Sequence, residues 1–178
     1  LCLLFHPIAQ AGNGNGMTWE KVSHDDVLGV DYVGCNNGCN AYSGETSCSS
    51  KLPILCLKKE GLPDPGVYVP DNSPGVMQPS YYYGWTGGQI KLTCPVSGNA
   101  LKGIADANDI CEFQFGPGYK MAEHHDGNGG WGWYANGNID DSSRFWVTVN
   151  DQPSSCWGYG TGVSSARTDA QISELLNC

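Results

Sequence analysis

The sequence predicts a mixed α+β fold of twisted antiparallel strands, few short helices and long loops, held by disulfides. Three observations carry that expectation. The 178 residues include nine cysteines and 25 glycines, while charged residues make up only 15%; an average soluble domain carries roughly 25% charged residues and about 7% glycine. Short apolar runs bounded by Gly, Pro and Asn recur along the chain, as strands separated by turns do. Only two stretches show the spacing of three and four that marks an amphipathic helix. The length suits one sizeable core, and no linker or repeat divides it.

The first segment, LCLLFHPIAQA, passes from an apolar run to Ala9-Gln10-Ala11 and then turns polar at GNGNG. This predicts the tail of a secretory signal peptide over residues 1–11. The alternative is an N-terminal extension strand that adds to a neighbouring copy of the chain. Cysteine arithmetic favours the first. Without Cys2 the set is Cys35, Cys39, Cys48, Cys56, Cys94, Cys111, Cys156 and Cys178, an even number that permits four disulfides and implies an oxidising, extracellular compartment.

Residues 12–178 read as a single secreted domain, with a Cys- and Pro-rich front (12–80) and a second part (81–178). In the front, VLGVDYV (27–33) and LPILCL (52–57) read as strands. The prolines at 63, 65, 70, 74 and 79 make 61–80 a surface loop, because proline cannot donate within a central strand. In the second part GGQIKLTCPV (87–96) reads as a strand. Ile104, Ala107, Cys111 and Phe115 make the clearest helix, stopped by Gly116 and Pro117. RFWVTVN (144–150) reads as an alternating buried strand. Thr168 and Gln171 stand in capping-box spacing ahead of Ile172, Leu175 and Leu176, which predicts a short last helix.

Charge narrows the function classes. A net charge of −9 with scattered basic residues excludes a nucleic-acid partner, since phosphate binding needs clustered Lys and Arg. The longest apolar run, Leu1 to Phe5, is far short of the roughly 20 residues a membrane span requires.

Chemistry concentrates in KMAEHHDGNGGWGWY (120–134). As neighbours on a strand, His124 and His125 would point to opposite faces and could not both bind one zinc ion; one is expected beneath the loop and the other in solvent. Calcium is better supplied, because it takes six to eight oxygens from a flexible loop. Asp126, Asn128, Asn136, Asn138, Asp140 and Asp141 offer them. Trp131, Trp133, Tyr134 and Trp85 are the rings expected to stack on a ligand such as a sugar. No G-x-S-x-G elbow is present, and Ser23-His24-Asp25 is a local coincidence, since triads assemble from distant segments. The chain is therefore expected not to be an enzyme, with a hydrolase built on Glu112 or Glu123 as the weaker alternative.

The order of these pieces carries a resemblance. A strand ending in Cys94, the helix GIADANDIC (103–111), a Gly/Asn/Trp loop, Phe145-Trp146-Val147 and Cys156-Trp157 together resemble the C-type-lectin-like fold in its broad sense, with its endostatin-like and bacterial extracellular relatives. It spans residues 80–178 and implies that the helix cysteine meets a strand near the end of the domain. It also implies that 145–147 is a core strand and Cys156-Trp157 a closing element. The sugar-binding motifs of that superfamily are not reproduced: Val149-Asn150-Asp151 and Gln152-Pro153-Ser154 stand nearest, incomplete and in the wrong order. Its calcium–sugar site is therefore not implied. The functional expectation is a secreted recognition domain for a glycan or extracellular surface, with a calcium-stabilised loop. The alternative is a structural subunit of a filament or matrix that self-assembles through residues 1–11.

Overall fold

The computed structural model describes residues 14–36, 38–66, 84–128, 130–163, 166–176 and 178. The expected signal or extension segment and most of the proline-rich loop lie outside these residues.

The described chain folds into eleven strands and two α-helices: β1 (Asn15–Gly16), β2 (Thr18–Asp25), β3 (Val30–Gly34), β4 (Thr46–Ser47), β5 (Lys51–Leu52), β6 (Leu55–Lys59), β7 (Trp85–Leu92), β8 (Val96–Ser97), α1 (Ile104–Phe115), β9 (Lys120–Met121), β10 (Gly132–Asn136), β11 (Phe145–Trp146) and α2 (Asp169–Leu175). Seven strands form one sheet in the order β11-β2-β3-β10-β7-β6-β9, and two small pairs, β1–β4 and β5–β8, flank it. Pairing is antiparallel except between β10 and β7. The sheet interleaves strands from the front and the second part, so the two stretches make one folded unit.

The sheet curls until its ends meet. Ile54, just before β6, bridges Trp146 in β11, and Glu123, just after β9, bridges Thr148 beyond β11. Backbone N–H groups of Trp146, Thr148 and His124 donate across this seam to Pro53, Ala122 and Thr148 at 2.8, 3.0 and 2.9 Å. The seam satisfies edge groups that would otherwise stay open.

Strand alternation sorts side chains into two cores. In β6, Leu55 and Leu57 enter one cluster with Trp19, Trp133, Phe145 and Val147. Cys56 faces the other way and joins Ile54, Ile110, Cys111, Trp146 and Ile172 beneath the helices. Burial on both faces explains why LPILCL reads as a continuous apolar run rather than an alternating one. Helix α1 has the predicted boundaries, and the Gly116 N–H caps the Glu112 carbonyl with φ at 93°, where a side chain would be strained. Helix α2 carries the predicted Thr168–Gln171 capping box.

Four disulfides join Cys35–Cys39, Cys48–Cys156, Cys56–Cys111 and Cys94–Cys178, using all eight expected cysteines. Such a set suits an extracellular protein. Among the described residues no helix is long and apolar enough to cross a membrane.

Several expectations need correction. The helix cysteine Cys111 meets Cys56 in the first half of the chain, not a strand near its end. Only Phe145–Trp146 of RFWVTVN is strand, and residues 145–149 are all buried without alternation, because the seam covers both of their faces. Val27 and Leu28 lie exposed in the β2–β3 turn, where Asp25 accepts their backbone N–H groups. The predicted 87–96 strand starts earlier, at Trp85, and breaks after Leu92.

Candidate functional site

The seam opens a cleft of about 610 Å³ between β9, the first turn of α1 and the 160–161 loop. Its floor is apolar, from Leu57, Ile104 and Met121, and its walls are polar, from Lys59, Asn108, Lys120, Glu123, Asp126, Thr148, Asn150 and Thr161. Lys120, on edge strand β9, pairs with Leu57, so both side chains stand on the same face and line the cleft.

Each polar wall residue is held by a local device. Asn108, one turn into α1, uses its Oδ1 to accept the Met121 N–H at 2.9 Å, which ties the helix to β9. After β9 the chain enters a tight turn over residues 123–127. Asp126 Oδ2 accepts the Glu123 N–H at 2.7 Å, and its Oδ1 meets Lys59 Nζ at 2.9 Å. Glu123 in turn accepts the N–H groups of His125 at 2.6 Å and Asn150 at 3.2 Å. Its Oε1 also holds the His125 Nδ1 at 3.0 Å. The turn thus presents two carboxylates whose positions are fixed by backbone donors. Thr148, buried beside the cleft, shares a hydrogen bond of 3.0 Å with Ser155.

Behind this turn lies His124, only 7% exposed. Among the described residues neither ring nitrogen has a hydrogen-bond partner. The ring is packed edge-on against Trp19 at 5.5 Å, His125 at 4.9 Å and Trp131 at 5.3 Å between centroids. Burial, together with the neighbouring His125, pushes the His124 pKa down to about 4, because the apolar surroundings penalise the charged imidazolium. The expectation that one histidine lies under the loop and the other in solvent matches these positions. The strand argument behind it does not hold: residues 124 and 125 form a turn, and their rings are close neighbours rather than on opposite faces.

The other expected site residues scatter. Trp133 and Tyr134 of β10 are core: Trp133 is fully buried against Trp19, and Tyr134 stacks on Tyr32 at 4.8 Å. They cannot stack on a ligand, because alternating burial in β10 fails where the sheet is covered on both sides. Trp85 is half-buried and donates its Nε1–H to the Leu62 carbonyl at 2.8 Å. Trp131, at 40% exposed, is the one of the four that is exposed.

The six calcium oxygens do not form one set either. Asp126 stands in the cleft, while Asn136, Asn138 and Asp140 line a separate hollow with Gln89 and Lys91. Asn138 accepts from Lys21 at 2.9 Å. Asp140 accepts the Ser142 N–H at 2.6 Å, and the Ser142 hydrogen bonds lower its pKa. Asp141 is exposed, and Asn128 takes a left-handed φ of 70° in the turn. Among the described residues no group of three or more His, Cys, Asp or Glu side chains is arranged to hold a metal ion. Of the two hydrolase candidates, Glu112 is exposed on α1 and Glu123 lines the cleft.

Sequence reasoning missed Lys59, Asn108, Lys120, Asn150 and Thr161, which come from five separate segments and share no motif. It also missed Tyr42, which is 63% exposed with its ring 6.4 Å from Trp131. The signal for Tyr42 was the Cys35-x3-Cys39 pair just ahead of it, a rigid base for a displayed ring.

No protein-family model, curated protein or solved structure matches this chain.

Proposed function

We propose that this protein is an extracellular recognition domain that binds a saccharide in the seam cleft. The observation that carries the reading is the make-up of that cleft: an apolar floor of Leu57, Ile104 and Met121 ringed by two carboxylates, two amides, two lysines and threonine hydroxyls. A pyranose has the complementary make-up, with C–H patches on its faces and a belt of hydroxyls that both donate and accept. Ligand sites generally combine a largely apolar hollow with a few fixed polar groups. Here the fixing is done by backbone N–H donors to Glu123 and Asp126, so little ordering is left for binding to bring about.

The same proposal includes a C-type-lectin-like architecture, supported by the sequence resemblance over 80–178 and by a curled sheet flanked by two helices and disulfides. It places no calcium in the cleft, whose carboxylates are engaged by Lys59 and by backbone donors. A glycan microarray followed by calorimetry tests it. The expected outcome is millimolar to micromolar binding to one glycan class, lost when Asn150→Ala and Asn108→Ala are combined. An array without a hit at millimolar ligand contradicts it.

A further inference from the structure

Resting on that reading, we infer that the site extends beyond the cleft to an aromatic corner made by Tyr42 and Trp131, and that the ligand is an oligosaccharide long enough to reach both. The two places are linked by contacts through one turn. Glu123 lines the cleft and holds His125. The His125 ring stands 4.9 Å from His124, whose ring stands 5.3 Å from Trp131, and Trp131 stands 6.4 Å from Tyr42. His125 is half-exposed between the two ends, with Asp151 4.0 Å from its Nε2. These contacts set the aromatic corner within three ring-to-ring steps of His125, and a chain of sugars long enough to leave the cleft past Asn150 has that distance to cover.

Both rings are displayed from rigid supports, which stray surface aromatics do not need. The Trp131 carbonyl accepts the Cys35 N–H at 2.8 Å, and a Cβ at Gly34 would lie 2.5 Å from the same oxygen. The backbone is thus seated tightly while the indole points out. Tyr42 follows the Cys35–Cys39 disulfide. Its N–H and that of Ser43 both donate to Asn40 Oδ1 at 3.0 Å, and the Asn40 N–H donates to Glu45 at 2.6 Å. The rings cross at 63°, leaving a corner rather than a closed stack.

A second observation points the same way. The ring that sets Trp131 perpendicular, at 85°, is His124, more than nine-tenths buried with both nitrogens unpartnered among the described residues. Leaving such groups unsatisfied costs stability that an apolar side chain would not. A residue kept at that cost directly beneath an exposed indole supports a task at the surface. Aromatic rings bind apolar ring faces while their polar ends stay wet, and the sugar face is such a surface.

The test is calorimetry with ladders of one to six units of β-1,4-linked glucose and of β-1,4-linked N-acetylglucosamine. Wild type, Tyr42→Ala and Trp131→Ala are titrated, with melting curves run beside them. Tyr42→Ala is the safer variant, since its ring contributes to no buried core cluster. In wild type the affinity rises about tenfold from the shortest binder to the longer members, and each variant loses most of that rise while binding the short members unchanged. A length gain that survives in both variants, or no gain with length, overturns this inference and leaves the cleft reading standing. Binding of neither series at any length, together with an array without a hit, removes both readings.

Discussion

His124 makes a sharp prediction about acid. In the folded protein its pKa lies at about 4, against 6.5 for the free side chain, because burial between Trp19 and Trp131 and the adjacent His125 disfavour the charge; Asp151 opposes them weakly. The unfolded chain therefore binds a proton between pH 6.5 and 4 that the folded chain refuses. Stability from this group is complete above pH 6.5 and is lost as the pH falls toward 4. A difference of 2.5 pKa units corresponds to at most about 3 kcal/mol, a large fraction of the roughly 5–15 kcal/mol that holds a domain together. The assay is urea unfolding at pH 7.5 and 4.5 for wild type and His124→Phe. Every other titrating group is common to both proteins and cancels in the comparison. Wild type should lose about 2–3 kcal/mol more than the variant. The variant should be at least as stable at pH 7.5, since it removes two unpartnered nitrogens. Equal losses in the two proteins would refute the reasoning.

Three further outcomes test the fold. Trp133→Ala should destabilise by about 3–5 kcal/mol in chemical denaturation, as emptying a fully buried indole site does; a cost below about 1 kcal/mol would mean the ring is not core. Replacing Cys56 and Cys111 together by Ala should cost about 2–5 kcal/mol, read as a lowered melting temperature, because the bridge pins β6 to α1. Arg167→Met should cost about 3–5 kcal/mol, since it strands Asp106, which is fully buried and held by both Arg167 and the Lys102 N–H. The double variant Asp106→Leu with Arg167→Met should recover part of that loss.

How much of this was legible in the sequence depended on whether the signal was local. Both helices were, with the Gly116 stop of α1 and the Thr168–Gln171 capping box of α2, because spacing and capping residues act within one or two turns. Disulfide number was legible from an even count, but pairing was not: Cys48 reaches Cys156 across a separation of 108 residues. The aromatic assignments failed at Trp133 and Tyr134 for a physical reason. Aromatic residues in a polar loop read as displayed rings, yet Gly132 and Gly127 beside them are small because backbone and rings press on them: a Cβ at Gly132 would lie 2.6 Å from the Tyr32 hydroxyl. The candidate calcium oxygens are likewise dispersed. Asp and Asn oxygens alternate in the sequence, but β10 separates Asp126 from the hollow that holds Asn138 and Asp140. The cleft itself was illegible, since it exists only where the curled sheet closes on itself.

The most direct test of the saccharide-binding cleft is to follow backbone amide chemical shifts during titration with the oligosaccharide selected on the array. The account predicts the largest changes at Leu57, Lys59, Lys120, Met121, Thr148, Asn150 and Thr161, with smaller changes at Tyr42 and Trp131 for longer ligands. Changes confined to the hollow around Asn138 and Asp140, or none at saturating sugar, would contradict it.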